Sequence, residues 1–419
     1  MGHRILEIGK TVLIVVLVCT LLLLFAASIP AETVRENHWL SQLLQPFAGL
    51  LGQPQAELTY VETALPVLDA AQPVVISVCN SAGRNTAMWD FAALDVAFET
   101  YGGLLGQALD TASAPEQIPQ AQVRQALTGT GVYFRYGWSL PGDLLASWLG
   151  ARPVVELPDA DGYLLAVEGE SVALYLLGDG SWRAGTGLSA QTLETLLEQV
   201  YPDGSRLALE ADSHLDPLTI LPPDNPTAAE VTASTPVDAR YIESLANELG
   251  FNPYSETRFT DSDGVTYLNE GSSTLEISAS GALLLTCDGT GRFEAPAGNV
   301  PEQVELGRRL VELAAGSLPA SCRLYLSGLE RSGTETVCTF DYRISGMPVM
   351  LPGRSAAVLT FSEVGLTRLE MQVYAFSETG TVLYPLPVAQ AMSVLPKGAE
   401  LALQYGIGTD QSVTVGWRQ

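Results

Sequence analysis

The stretch Val265-Thr-Tyr-Leu-Asn-Glu-Gly-Ser-Ser-Thr-Leu-Glu-Ile-Ser-Ala-Ser-Gly-Ala-Leu-Leu-Leu-Thr-Cys287 decides how the chain folds. It holds three short runs, 265–269, 274–278 and 283–287, separated by Glu270-Gly271 and Ser280-Gly281. Period-two alternation turns one side of each run toward a core, and glycine supplies the backbone freedom that tight reversals need. A fourth run at 258–260 enters through Asp263-Gly264, so the spacing predicts an antiparallel meander.

Outward from this meander the pattern repeats. Helical periodicity at 238–249 precedes it and another helix, 301–315, follows. Strand-like runs then occupy 322–329, 336–344, 356–361, 366–376 and 401–405, with a helix at 388–395. Helices packed on antiparallel sheets define an α+β class, here with two similar C-terminal helix-plus-sheet units, 237–299 and 300–419. Their succession suggests an internal duplication.

Upstream, residues 211–236 hold five prolines among small polar residues, and 223–236 reads as a Pro-rich linker. Residues 60–222 read as a separate external α+β domain. Its expected elements are a strand at 74–78, a helix at 85–109 weakened by Gly102-Gly103, and a strand at 131–138. A short helix ending at Trp148, strands at 163–167 and 172–177, and a helix at 188–201 follow. Tyr133, Phe134, Tyr136, Trp138 and Trp148 fall in one stretch, readable as core packing or as a platform for a partner.

Residues 11–29 carry no charge. At 1.5 Å per residue this run spans roughly 28 Å, matching a hydrocarbon core of about 30 Å. Arg4 and Lys10 precede it, so residues 1–10 are expected as a cytoplasmic tail and the bulk as external. A cleaved signal peptide is the rival, with Ala26-Ala27-Ser28 as its site, but its apolar region is about 7–15 residues and this run is longer. Cys19 and Thr20 lie mid-span and are candidates for helix–helix contact in the membrane. Residues 30–59 read as a membrane-proximal helix or linker broken near Pro46 and Gly49.

The net charge is −26, and Lys10 and Lys397 are the only lysines. Such acidity repels phosphate backbones, so no nucleic-acid partner is expected. No HExxH, GxSxG, SxxK or phosphate-loop pattern occurs, and the external histidines, His38 and His214, sit in linker-like surroundings. Asp261-Ser-Asp-Gly264 with Glu270 has a faint likeness to a calcium loop but lacks its length and its third oxygen donor, which leaves a hairpin turn. Acidic residues from Glu156 to Glu170 cluster beside turns without fixing a catalytic pair. No catalytic, cofactor or metal residues are therefore assigned, and a non-enzymatic role is expected. The cysteines show no metal-type spacing; Cys322 and Cys338 could face each other across a strand pair or remain buried thiols.

Several stretches resemble the YycH/YycI (WalH/WalI) family. They are Tyr241-Ile-Glu-Ser-Leu-Ala-Asn-Glu-Leu-Gly-Phe-Asn-Pro-Tyr254, containing Leu249, Gly250, Phe251, Asn252 and Pro253, then the Asp263-Gly264 hairpin and the 274–281 strand. Further on are Phe340-Asp-Tyr-Arg-Ile-Ser-Gly-Met-Pro-Val349, with Gly346, Pro348 and Val349, the 385–395 helix and the closing Trp417-Arg418. The resemblance covers about 237–418 and is closest to YycH by length. It implies a single-pass regulator outside the cytoplasm of low-GC Gram-positive bacteria. Such a regulator modulates a cell-wall two-component sensor histidine kinase by protein contacts and associates with a YycI-like partner. The motifs are structural and imply no site. An external binding module for wall polymer or lipid fragments is the alternative.

Overall fold

The computed structural model describes residues 67–418, which form one compact α+β body built on two large sheets and two small ones. The N-terminal run 11–29, with Cys19 and Thr20, and the segment 30–59 lie outside the described residues. Among the described residues no helix is long and apolar enough to cross a membrane.

The first sheet contains β1 (Val75–Asn80), β2 (Gly83–Met88), β3 (Glu116–Gln117), β4 (Gly131–Leu140), β5 (Ala160–Glu168), β6 (Ser171–Leu177) and β7 (Ser181–Ser189). Their spatial order is β2-β1-β4-β5-β6-β7-β3. Helices α1 (Val67–Ala70), α2 (Phe91–Asp110), α3 (Gln120–Leu127), α4 (Gly142–Trp148) and α5 (Ala190–Leu197) surround it. Strand β4 lies between β1 and β5, and Val132, Tyr133 and Phe134 are all buried, so both its faces are covered. The aromatic stretch is therefore mostly core: Tyr136 and Trp148 are buried too, and only Trp138 is half-open.

The expected helix at 85–109 is shorter than its sequence periodicity. Residues 84–88 instead pair with β1, from Cys79 opposite Arg84 to Val75 opposite Met88. The helix starts only after Asp90, whose carboxylate caps the Ala92 N–H at 2.9 Å, and Trp89 just before it has φ +57°. Strand pairing and a cap thus override local propensity. Gly102 makes room for the Phe98 ring, which a Cβ there would meet at 3.0 Å and have to displace. The expected 188–201 helix loses Leu188 and Ser189 to β7, is capped by Ser189 and ends at Leu197.

The 223–236 linker is not a free spacer. Segments β8 (Arg206–Leu207) and β9 (Ile220–Leu221) pair with each other, and β10 (Ala228–Ser234) pairs antiparallel with β20 (Ala375–Leu383). Upstream of it, Ala208, Leu215 and Leu221 pack with Ala391, Leu395 and Leu401 around α8 (Val388–Val394). His214 Nε2 lies 3.1 Å from the Leu395 carbonyl, and the Gly398 N–H donates to the His214 carbonyl. The prolines flank these ribbons rather than interrupt them, which is where a residue without an N–H is tolerated.

The second sheet holds β11 (Phe259–Thr260), β12 (Val265–Glu270), β13 (Ser273–Ser278), β14 (Ala282–Thr286), β15 (Cys322–Ser332), β16 (Glu335–Ile344), β17 (Met347–Met350), β18 (Ala357–Phe361), β19 (Leu366–Gln372), β21 (Leu403–Ile407) and β22 (Val413–Trp417). Its order is β11-β12-β13-β14-β19-β18-β16-β17-β21-β22, with β15 also paired to β16. Strand β14 pairs with β19, so the strands of 237–299 and 300–419 share one continuous sheet. Helices α6 (Ala239–Glu248) and α7 (Val300–Ala315) pack together, and α7 lies on β15, β16 and β18. Core-facing positions such as Leu275, Ile277, Leu283, Leu285, Leu359 and Leu369 alternate with half-buried or exposed ones, matching the period-two reading.

Cys322 and Cys338 do not face each other. Cys322 is opposite Ile344 and Cys338 is opposite Leu329, which separates them by seven ladder positions, roughly 23 Å along the strands. Cys79, Cys287, Cys322 and Cys338 are free thiols, and burial pushes the thiols of Cys322 and Cys338 up to about 12. Alkylation of denatured, unreduced protein should label both; recovery of a cross-linked peptide pair would contradict this register.

Two glycines give opposite expectations. A Cβ on Gly365 would lie 2.2 Å from the Phe293 carbonyl oxygen and 2.3 Å from that of Gly289. Gly365→Ala should destabilise by about 3 kcal/mol, because backbone cannot yield to it. Gly103 is exposed within α2 with nothing within 4 Å of its Cβ position. Gly103→Ala should stabilise by about 0.5–1 kcal/mol. Denaturant midpoints measure both.

Candidate binding cleft

The Leu249–Pro253 turn ends α6. Gly250 (φ +71°) donates to the Asn247 carbonyl at 3.0 Å and Phe251 to the Ala246 carbonyl at 2.7 Å, the two bonds of a Schellman cap. Leu249 and Phe251 are buried, Asn252 Oδ1 accepts from the Tyr254 N–H, and the Pro253 carbonyl accepts from Arg258. Asp263 and Gly264 form the β11–β12 reversal, where Asp261 Oδ1 accepts from the N–H groups of Asp263 and Val265, both at 2.9 Å. Among the described residues no group of His, Cys, Asp or Glu is disposed to hold a metal ion.

Gly346, Pro348 and Val349 are placed differently. Ser345 (φ +51°) and Gly346 (φ +81°) make the two-residue turn between β16 and β17, a reversal that needs positive φ at both positions. The turn presses against the start of α2: a Cβ on Gly346 would lie 3.1 Å from Leu94 Cδ1. Pro348 and Val349 then line a cleft of about 250 Å³ between the two large sheets.

One wall of this cleft comes from the first sheet, through Val75, Met88, Trp89, Tyr133, Arg135, Gly137 and Trp138. The opposite wall is the outer face of β15–β17, through Tyr325, Ser327, Asp341 and Arg343, with Glu400–Leu403 and Arg418 at the margin. Trp417 meets Trp89 edge-on at 5.5 Å, which brings the C-terminal strand to the rim.

A polar clamp fixes the two walls. Arg323 grips Asp95 with two hydrogen bonds, 2.8 and 2.7 Å, and stacks over the Phe91 ring at 4.4 Å. Gln72 Nε2 donates to Asp95 Oδ1 at 2.5 Å, while Gln72 Oε1 accepts from the Tyr325 hydroxyl at 2.7 Å. Hydrogen bonding from Arg323 holds the Asp95 carboxyl below the usual carboxylate range, against a desolvation effect that raises it. A second tie joins Trp148 Nε1 to Glu305 Oε1 at 3.2 Å.

The charges inside are unevenly matched. Arg135 pairs with Asp161 at 3.3 Å and Glu400 at 3.8 Å. Asp341 uses Oδ1 to accept the Ala356 N–H at 2.9 Å and Oδ2 to accept from Ser327 at 2.6 Å; burial raises its pKa all the same. Arg343 lies over the Tyr325 ring at 4.5 Å and makes no hydrogen bond or ion pair among the described residues. Burial lowers its pKa, opposed by Tyr325 and Asp341. The Tyr133 hydroxyl, in the other wall, is buried without a hydrogen-bond partner and is pushed up to about 12, mainly by desolvation.

Arg135, Tyr325, Asp341 and Arg343 were not among the candidates read from sequence. Asp341 and Arg343 are two apart on β16, the side that alternation assigns to solvent. Their only early signal is a charge pair within the family-like stretch at 340–349. No family model matches the chain, and no curated protein and no solved structure matches it.

Asp95→Asn should weaken the clamp by about 1 kcal/mol at neutral pH, a modest value because the pair is partly open to solvent. Because the folded Asp95 pKa is depressed, its contribution is present above the unfolded value and is lost as pH falls through the folded one. The stability gap between wild type and variant should hold from pH 7 to 5 and close below about pH 4. Urea unfolding across pH measures this.

Proposed function

We propose that this chain is a single-pass membrane protein whose external body works by binding, as a regulator of a cell-wall sensor histidine kinase. The anchor reading rests on the uncharged 11–29 run with Arg4 and Lys10 before it. The partner reading rests on the YycH/YycI-like stretches, which also imply a YycI-like companion. One observation carries the proposal into three dimensions. The 340–349 stretch of resemblance builds the hairpin where the two sheets meet and supplies Asp341, Arg343, Pro348 and Val349 to the cleft.

Regulation then follows from population shift: contacts that differ between two kinase conformations favour one of them. The clamp supports this, since it ties α2 (Asp95) and the segment before β1 (Gln72) to Arg323 and Tyr325 of β15 and so holds the two halves of the body together. A second reading, an external binding module for wall polymer or lipid fragments, is favoured by the cleft itself.

Replacing residues 11–29 with an unrelated membrane helix separates the readings. Regulation through the anchor predicts lost co-purification with the kinase and at least a severalfold change in kinase output. Unchanged output, with no kinase recovered alongside the native chain, would count against the regulator reading and leave the binding module.

A further inference from the structure

Arg343 breaks a local rule. It lies directly across the β15–β16 ladder from Arg323, and like charges in that relation repel. Arg323 is neutralised by Asp95, but Arg343 has no such partner. Asp341, two positions earlier on the same face, has both oxygens occupied by Ser327 and the Ala356 N–H. A half-buried guanidinium with no hydrogen-bond acceptor carries a desolvation penalty that the Tyr325 ring and the nearby Asp341 charge offset only in part. Across the cleft, the Tyr133 hydroxyl is buried without a well-formed hydrogen bond, with the Arg135 guanidinium acting on it electrostatically. Both groups can donate, and both line the same space.

We propose that the cleft binds a small monocarboxylate carrying an apolar group, with the carboxylate on the Arg343 guanidinium and the apolar part between Trp138, Pro348 and Val349. Guanidinium and carboxylate match as a planar two-bond fork. Among the described residues Arg343 is the half-buried cation of the cleft without an acid partner, while Arg418, also unpaired, stands exposed at the margin, so the inner part of the cleft balances one negative charge. A phosphate dianion would bring a second charge beside Asp341 and Glu400, within a chain of net charge −26. The volume of about 250 Å³ accepts a group of amino-acid or short-peptide-end size and excludes a folded segment. The inference deepens the binding role proposed above and does not depend on the kinase.

The test uses the full chain in lipid nanodiscs and calorimetric titration. The probes are N-acetyl-phenylalanine, its neutral amide, N-acetyl-Ala-Ala-Phe with a free carboxyl end, and phenyl phosphate. The acid should bind at least tenfold more tightly than the amide. Tighter binding of the peptide than of the single residue identifies a chain end as the source of the carboxylate, and the reverse identifies a free small acid; either supports the site. Arg343→Gln should lower acid affinity at least tenfold, and Arg343→Lys should recover part of it.

A purely structural arginine would destabilise the fold when removed. An unpaired one predicts that Arg343→Gln melts at or above the wild-type temperature. Gly137→Ala acts from the opposite wall, placing a methyl 3.0 Å from Arg343 Nη2, and should also weaken binding. Equal binding of acid and amide, undiminished binding by Arg343→Gln, tighter binding of phenyl phosphate, or no binding of any acid would each overturn the assignment. Failure of kinase regulation with retained acid binding would remove the regulator reading alone.

Discussion

Strand β16 is the constraint on which the structure turns. One edge pairs with β15 along its whole length. The other edge is divided: residues 336–340 pair with β18 and residues 343–344 with β17. The backbone cannot serve both neighbours at the point of division, so the Asp341 side chain takes the Ala356 N–H in place of a ladder bond. A similar substitution occurs where β19 leaves the large sheet. There the Tyr342 hydroxyl donates to the Gln372 carbonyl and accepts from the Tyr374 N–H, both at 3.3 Å. Two adjacent side chains of one strand thus manage both departures from the ladder.

The two faces of β16 have different fates. Cys338, Phe340, Tyr342 and Ile344 face the core under α7 and are almost fully buried. The alternate face carries Asp341 and Arg343 and would be solvated in a sheet with one open side. Here the first sheet closes over part of it. Covering a polar face is tolerable only where each group finds a partner, and the clamp of Asp95, Gln72, Arg323 and Tyr325 meets that demand. Arg343 does not, and the deficit falls where the cleft opens. Satisfied and unsatisfied charge side by side is what distinguishes this surface from an ordinary interface between sheets.

Acidity elsewhere fits the same physics. The outer face of the β13–β14–β19–β18 region also has a hollow of about 270 Å³, lined by Glu276, Arg354, Arg368 and Glu370. Arg368 is paired with Glu370 at 2.5 Å and Arg354 donates to the Gln372 amide oxygen at 3.3 Å, so each of these cations already has an acceptor. The contrast with Arg343 comes from environment and not from residue type.

Much of the architecture was legible in the residues alone. The α+β class, the 265–287 meander, the 238–249 and 301–315 helices and the β4 strand follow from period, caps and glycine turns, which are local. The Leu249–Pro253 and Gly346–Val349 stretches stood out only as stretches of resemblance; that they form a Schellman cap and a Ser345-Gly346 reversal is what the structure adds. What the chain alone could not disclose was long-range. Whether Asn85 starts a helix or pairs with Val78, whether residues 228–234 dangle or pair with 375–383, and whether Cys322 meets Cys338 depend on register between distant segments. The cleft belongs to that second class. Alternation fixed which side of β16 bears Asp341 and Arg343, since side-chain direction is set by the backbone. Only the docking of the first sheet, through contacts more than 200 positions apart in sequence, decided that this side would be covered and one of its charges left without a partner.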